Sequence, residues 1–265
     1  MGSFFLFFRV LCAVMDIFQY YCMAEKVERR PALLEFTKPT QGGNLAICGI
    51  DPTCTLEVKA GRLYKDGKDC EDALELFRHL ALEPSPSFFP AYVGFFSYEF
   101  ASYFKKPCHL GKRLLPDAFF RRYERGLVID DGAIVHHDPI QPTDDHASKN
   151  LASPQELRPA LTRLQFFLAL KRIKDMIRAG DVYQVNFSLP LFFDAREIKM
   201  PALYAAIKAL NNSPFMGMIG NEDWQLLSGS PERLFSYKHG LVTARPIAGT
   251  KKRGADIFAD NAQLL

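Results

Sequence analysis

Trp224-Gln-Leu-Leu-Ser228 and Leu234-Phe-Ser-Tyr-Lys-His-Gly-Leu-Val-Thr-Ala244 decide the fold. Leu234 to Lys238 and Leu241 to Ala244 read as two strands. Between them His239-Gly240 is a two-residue connection whose glycine accepts positive φ, so the pair reads as a hairpin. Trp224 to Ser228 reads as a strand before it. Upstream, Asn44 to Ile50, Thr55 to Ala60 and Arg62 to Lys65 are further short strands, punctuated by Asp51-Pro52 and Asp66-Gly67. Asp69 is placed to cap a helix from about Cys70 to Leu82, with Leu74, Phe77 and Leu80 or Ala81 on one side. Ala91 to Tyr98 reads as a buried strand. Gly126 to Asp130 and Ala133 to His136 flank the hairpin signal Asp131-Gly132.

Residues 139–159 are rich in Pro, Asp, Ser and Asn and read as a linker or long surface loop. Beyond it Leu161, Leu164, Leu168, Met176 and Ile177 line one side of a helix that Gly180 stops. Pro201 opens a second helix, with Leu203, Ile207 and Leu210 on one face and Asn211-Asn212 closing it. Antiparallel stretches with interspersed helices make the chain α+β and not a doubly wound parallel sheet.

Composition excludes several classes. The 265 residues are 48% hydrophobic and 24% charged, with 23 Phe, which is globular and not disordered. A net charge of +3, with Lys and Arg scattered, gives nucleic-acid binding no support. The six cysteines form no CxxC pair and read as reduced thiols of a cytoplasmic protein. His136-His137 beside Asp138 reads as a polar strand end, since neighbours on an extended chain point to opposite faces. Near the start, Phe4 to Phe8 and Val10 to Met15 are apolar but broken by Arg9 and Asp16, too short to span a membrane. Residues 1–25 read as an apolar leader or an over-extended start, with Met15 and Met23 as alternative first residues.

Three segments carry chemistry. In Gly180-Asp-Val-Tyr-Gln-Val-Asn-Phe-Ser188, read as a strand, Gln184, Asn186 and Ser188 share one face. That row is either the polar outer face of an ordinary sheet or the wall of a cleft. Ser228-Gly-Ser-Pro-Glu-Arg-Leu-Phe235 sets Glu232 after a proline and beside Arg233, which favours an ionised carboxylate if the two pair; a solvated surface pair explains it equally. In Arg245-Pro-Ile-Ala-Gly-Thr-Lys-Lys-Arg-Gly254, Gly249 lets a ligand approach the backbone, Thr250 adds a donor and three cations follow. A solvated basic turn is the alternative.

In this order the three segments resemble the chorismate-utilising enzymes, which include anthranilate synthase component I, para-aminobenzoate synthase component I and the isochorismate synthases. The resemblance runs from about Leu33 to the end of the chain. It implies two facing, mostly antiparallel sheets with outer helices and a central chorismate cleft. It implies that Gln184 and Glu232 are catalytic and that Gly249 and Thr250 bind substrate. Hydroxylating members carry Lys where Gln184 stands, so the resemblance points to amination. Tyr183-Gln-Val-Asn186 and Ser230-Pro-Glu-Arg-Leu234 resemble the para-aminobenzoate branch, whereas Ala248 resembles the anthranilate branch. The first is therefore the expected activity, aminodeoxychorismate formation for folate; the second is the alternative.

The same resemblance implies a glutaminase subunit as ammonia source and Mg2+ as cofactor, whose ligands are expected beyond Leu265, with no metal ligand in this chain. A possible amino-acid effector pocket falls on Glu35, in Leu33-Leu-Glu-Phe36, and on Pro214, Phe215 and Met216. Phe36 replaces the family's serine there, so tryptophan inhibition is expected to be weak or absent. The organisation so implied is an N-terminal region over 26–138, a linker over 139–160, and the start of the chorismate-binding region over 161–265. The chain reads as C-terminally truncated and inactive alone, with a non-catalytic remnant as a further alternative.

Overall fold

The computed structural model describes residues 16–37, 44–81, 88–105, 114–140, 156–195, 198–211, 213–238 and 240–245. In chain order these form α1 (Ile17–Lys26), β1 (Ala32–Thr37), β2 (Asn44–Ile50), β3 (Cys54–Lys59), β4 (Arg62–Lys65) and β5 (Lys68–Asp72). A 3₁₀ turn (Ala73–Glu75) leads into α2 (Leu76–Leu80), followed by β6 (Ala91–Phe96), a second 3₁₀ turn (Tyr98–Tyr103), β7 (Ala118–Tyr123), β8 (Arg125–Asp130) and β9 (Ala133–His137). Then come β10 (Arg158–Pro159), α3 (Arg163–Ala179), β11 (Leu191–Phe192), α4 (Met200–Asn211), β12 (Phe215–Gly220), β13 (Gln225–Ser230), β14 (Arg233–Lys238) and β15 (Leu241–Arg245). Two compact units result, residues 1–147 with 204–265, and residues 148–203.

The first unit is an α+β sandwich. A six-stranded sheet in the order β13-β12-β1-β2-β8-β9 faces a five-stranded sheet in the order β5-β4-β3-β7-β6, and every pairing among the described residues is antiparallel. Period-two alternation sends Ala32, Val128 and Ile219 from one sheet and Val93, Phe119 and Tyr123 from the other into a shared core. Trp224 stands edge-on to Phe119 and Phe95 there, at 4.8 and 5.5 Å between ring centres. The opposite residues of the six-stranded sheet, Leu33, Cys48, Ile50 and Leu127, are fully buried. The outer face of the five-stranded sheet packs Leu56, Val58 and Leu63 against Ala73, Leu76 and Phe100. Each of the Leu, Val and Phe side chains contributes about 1.5–3 kcal/mol when fully removed from water.

Several expectations hold closely: β2, β3, β4, the β8–β9 hairpin across Asp131-Gly132, and the β14–β15 hairpin across Gly240, whose φ is 81°. Others are corrected. Asp69 caps no helix; residues 68–72 pair with β4 instead, and Arg62 grips Asp69 and Asp72 at 2.8 Å each. The hairpin turn at Gly67 commits the next residues to the ladder, and the helix shrinks to residues 76–80. Leu76 is its buried residue, while Leu74 and Phe77 stand exposed. The strand expected to reach Tyr98 stops at Phe96.

Asp16, which interrupts the apolar leader in the sequence, is the N-cap of α1. Its carboxylate accepts from the Gln19 N–H at 2.8 Å and Gln19 reaches back, a capping box. Ile17, Tyr20, Tyr21 and Ala24 of this helix are buried, and the Tyr20 hydroxyl donates to the Asp138 carbonyl at 2.7 Å. Strands β1, β7, β10 and β12 also emerge from stretches not read as strands.

In the second unit α3 starts on Thr162, which makes a capping box with Gln165, and ends on Gly180 at φ 84°. The expected helix and stop are therefore present, but no residue of α3 is buried. Residues 181–190, read as a strand, have no ladder partner among the described residues. Strand identity needs a neighbour's hydrogen bonds, and here only Arg158-Pro159 with Leu191-Phe192 makes a pair.

Candidate functional site

The sandwich assembles one of the expected groups from distant sequence. Pairing of β1 with β12 puts Glu35 opposite Met216 and Phe36 opposite Phe215, and the Thr37 N–H donates to the Pro214 carbonyl at 2.8 Å. Directly opposed residues share a face. Phe36 and Phe215 therefore meet on the side of Leu34, edge to face at 6.1 Å, while Glu35 and the buried Met216 lie on the other side. Glu35, Pro214, Phe215 and Met216 are thus brought together along two neighbouring strands, but not into one concave wall.

Glu35 is held by α4. The Tyr204 hydroxyl donates to its carboxylate, and Lys208 donates to the other oxygen at 2.6 Å. Tyr204 is fully buried and stacks on Phe18 at 5.5 Å. Burial, and then the adjacent Glu35 carboxylate, push its phenol far above the ordinary tyrosine range. A ligand ammonium reaches Glu35 only by displacing Lys208. Sequence reading missed Tyr204 and Lys208. They stand four residues apart on one helical face, next to the face chosen from Leu203, Ile207 and Leu210, and Leu210 is 88% exposed.

The Ser230–Arg233 turn sits between β13 and β14. Ser230 organises it: the hydroxyl donates to the Glu232 carbonyl at 2.9 Å and accepts from the Glu232 N–H at 3.3 Å. Glu232 is exposed. Arg233 lies 5.2 Å over the Phe215 ring and donates to the Ser236 hydroxyl at 3.5 Å, so this turn leans on the Pro214–Met216 segment. That cation–π link carries no signal in the sequence beyond two residue types 18 positions apart.

Gln184 lies in the second unit, exposed together with Asn186 and Ser188 in the unpaired stretch after α3. Val185, Phe187 and Leu189 between them are exposed as well, at 41, 37 and 37%. Gly249 and Thr250, with Lys251 to Arg253, lie outside the described residues. Among the described residues no three His, Cys, Asp or Glu side chains converge as metal ligands, and no helix is long and apolar enough to cross a membrane. The free thiols Cys22, on α1, and Cys48, on β2, are close enough to interact electrostatically. Burial pushes Cys22 up to about 11 and Cys48 well above the ordinary range, so both stay protonated at neutral pH.

Against known proteins, the chain aligns with aminodeoxychorismate synthase component 1 of Bacillus subtilis at 29% identity, over 84% of this chain and 55% of that protein. It aligns with anthranilate synthase component 1 of Thermus thermophilus at 30% identity, over the same shares. It therefore spans about half the length of these curated relatives. Anthranilate synthase component I from Streptococcus pneumoniae superposes with a TM-score of 0.66 at 21% identity, covering 78% of this chain and 54% of that one, which establishes the shared fold. Residues 30–264 match the chorismate binding enzyme family throughout, so the chain belongs to that family.

Proposed function

We infer that the protein carrying this chain aminates chorismate, as component I of a para-aminobenzoate (aminodeoxychorismate) synthase acting in the cytosol for folate biosynthesis. The observation that carries this reading is the family match over residues 30–264, within which Tyr183-Gln-Val-Asn186 and Ser230-Pro-Glu-Arg-Leu234 resemble the para-aminobenzoate branch. Ammonia from a separate glutaminase subunit attacks the ring as the neutral amine, whose lone pair needs no base; as the C–N bond forms the ring C–OH bond breaks, and the hydroxyl leaves as water with a proton given up by the nitrogen. The Gln184 amide fits that requirement: it donates and accepts hydrogen bonds but takes no proton at neutral pH. Glu232 supplies the carboxylate for proton transfer, and Gly249 with Thr250 presents a backbone and a hydroxyl donor to a chorismate carboxylate. Magnesium, when bound, would supply Lewis-acid chemistry; the described residues offer it no ligand set.

The second reading, anthranilate synthase component I, is favoured by Ala248, which removes the lysine found in many para-aminobenzoate synthases, and by the equal likeness to the Thermus thermophilus protein. One assay separates the two. The gene product carrying this chain, given chorismate, ammonium and magnesium, is expected to yield aminodeoxychorismate, read as para-aminobenzoate once a lyase is added. Anthranilate fluorescence without the lyase overturns the first reading and supports the second.

A further inference from the structure

On the outer face of the five-stranded sheet, the buried cluster under α2 continues into aromatic rings that are only half covered. Phe100, 4% exposed, holds them together. Phe96, at the end of β6, lies 4.8 Å from it between ring centres, and Phe77 of α2 and Phe104 after the second 3₁₀ turn each lie at 5.9 Å. Phe77 also stacks on Phe96 at 5.8 Å and meets Phe104 at 6.1 Å, so the rings form one continuous surface. Phe120 supports Phe96 at 4.9 Å. Phe77, Phe96 and Phe104 are nevertheless 48, 46 and 64% exposed. Leu74, three residues before Phe77 and so on the same helical side, is 42% exposed.

The size of this patch can be set against what association needs. At roughly 200 Å² for a large apolar side chain, the four residues leave about 400 Å² open, the order of the largest apolar patch on a monomer, which is often functional. Interfaces are about 57% apolar. The patch is then the apolar share of about 700 Å² per partner, close to the roughly 800 Å² per partner of a stable complex. The rings are already fixed against Phe100 and Phe120, so docking costs them little side-chain freedom.

The neighbouring charges narrow the partner. Glu75 pairs with Arg78 at 3.1 Å, and Glu99 precedes Phe100 while Lys105 follows Phe104. Both signs are present in equal number, so these residues favour neither an acidic nor a basic surface. A copy related by a two-fold axis presents the same aromatic face and sets each sign against its opposite. We propose that this patch is the contact of a two-fold dimer of the chain. The proposal is independent of the amination reading.

Sedimentation equilibrium of the 265-residue chain tests it. A species of twice the 30.0 kDa chain mass is expected, with a micromolar or tighter Kd. Phe77→Ser with Phe104→Ser should raise that Kd by about a hundredfold or more, with cooperative unfolding by Trp224 fluorescence retained. Phe104→Lys, a single change at the most exposed ring, should raise it by about tenfold or more and leaves the buried Phe100 untouched. Leu164→Ser with Leu168→Ser on α3 should leave it unchanged. A monomer at all concentrations overturns the proposal, as does a dimer that survives both Phe substitutions or that the α3 pair dissolves. The gene product carrying this chain is expected to dimerise alike; a monomer there would mean that the patch is covered from within its own chain, and would overturn the proposal too.

Discussion

Helices α1 and α3 have the same local design and opposite surroundings. Each opens on a capping box, Asp16 with Gln19 in one and Thr162 with Gln165 in the other. Each carries an apolar stripe at helical spacing. In α1 that stripe is buried at Ile17, Tyr20, Tyr21 and Ala24, whereas Leu164, Phe167 and Leu168 of α3 are 69, 53 and 57% exposed. The contrast extends to whole units: the sandwich buries side chains between its sheets and on the outer face of each, and none of the described residues between 156 and 203 is buried. Local sequence makes the helix and marks the face to be covered. It does not supply the cover, which comes from tertiary partners.

The largest expected effect lies in the covered unit. Phe119→Ala should cost about 3–5 kcal/mol, because it opens a cavity between the sheets beneath Trp224. Trp224 is the single tryptophan, so urea unfolding followed by its fluorescence reads this unit directly. A loss under about 1 kcal/mol would mean that the core is looser than its burial implies. A smaller loss, about 1.5–3 kcal/mol, is expected for Tyr204→Phe, which takes one hydrogen bond from the Glu35 carboxylate.

That variant also carries a pH signature. Tyr204 holds its proton in the fold at pH values where the unfolded chain, with an ordinary value of 10.0, has released it. A raised folded pKa contributes stability that is whole below pH 10 and declines as pH rises beyond it. Tyr20, Tyr21 and Tyr123 act in the same direction through burial. Stability measured from pH 8 to 11 should therefore be level and then fall, with a shallower fall in Tyr204→Phe.

In the uncovered unit, exchanges should cost function and not stability. Gln184→Lys in the gene product carrying this chain should lower amination by about tenfold or more, roughly 1.4 kcal/mol of transition-state binding. A lysine there would bring a base that can activate water and give some hydroxylated product. Gln184→Ala should lower amination without the new product. Full activity in both would remove Gln184 from the site. The smallest effect is Leu168→Ala, expected within about 0.5 kcal/mol because its exposed side chain has little packing to lose. A loss above 2 kcal/mol would show that α3 is covered in solution and would break the contrast.

What the sequence disclosed follows the same line. Turns with their own chemistry were readable: Asp131-Gly132, His239-Gly240, the Gly180 stop. Elements set by long-range pairing were not. Lys68 to Asp72 has a helix cap and helical spacing, but the ladder with β4 and the Arg62 ion pairs outweigh a five-residue propensity. In β7, Phe119, Arg121 and Tyr123 alternate, and the buried Arg121 disguises the inward face. Of the candidate site, the residue types around Glu35 and Met216 were visible, while their clamp by Tyr204 and Lys208 needed the register across 169 and 173 positions. Gln184 was legible only as one of a row of polar side chains, because a strand without a partner has no inside.

The pairing of β1 with β12 joins Leu33 to Met218, and proteins are made from one end. Growing at roughly 5–20 residues per second, a nascent chain presents Leu33 about 10–40 s before Met218 exists to lie beside it. For that interval β1 and β2 form an open-edged ribbon with an apolar face, the form most prone to pair with another copy on the same message. Ribosome-associated holding factors, or slow codons that act only after Gly220, would therefore change the yield of this protein more than any surface substitution in its finished sheet.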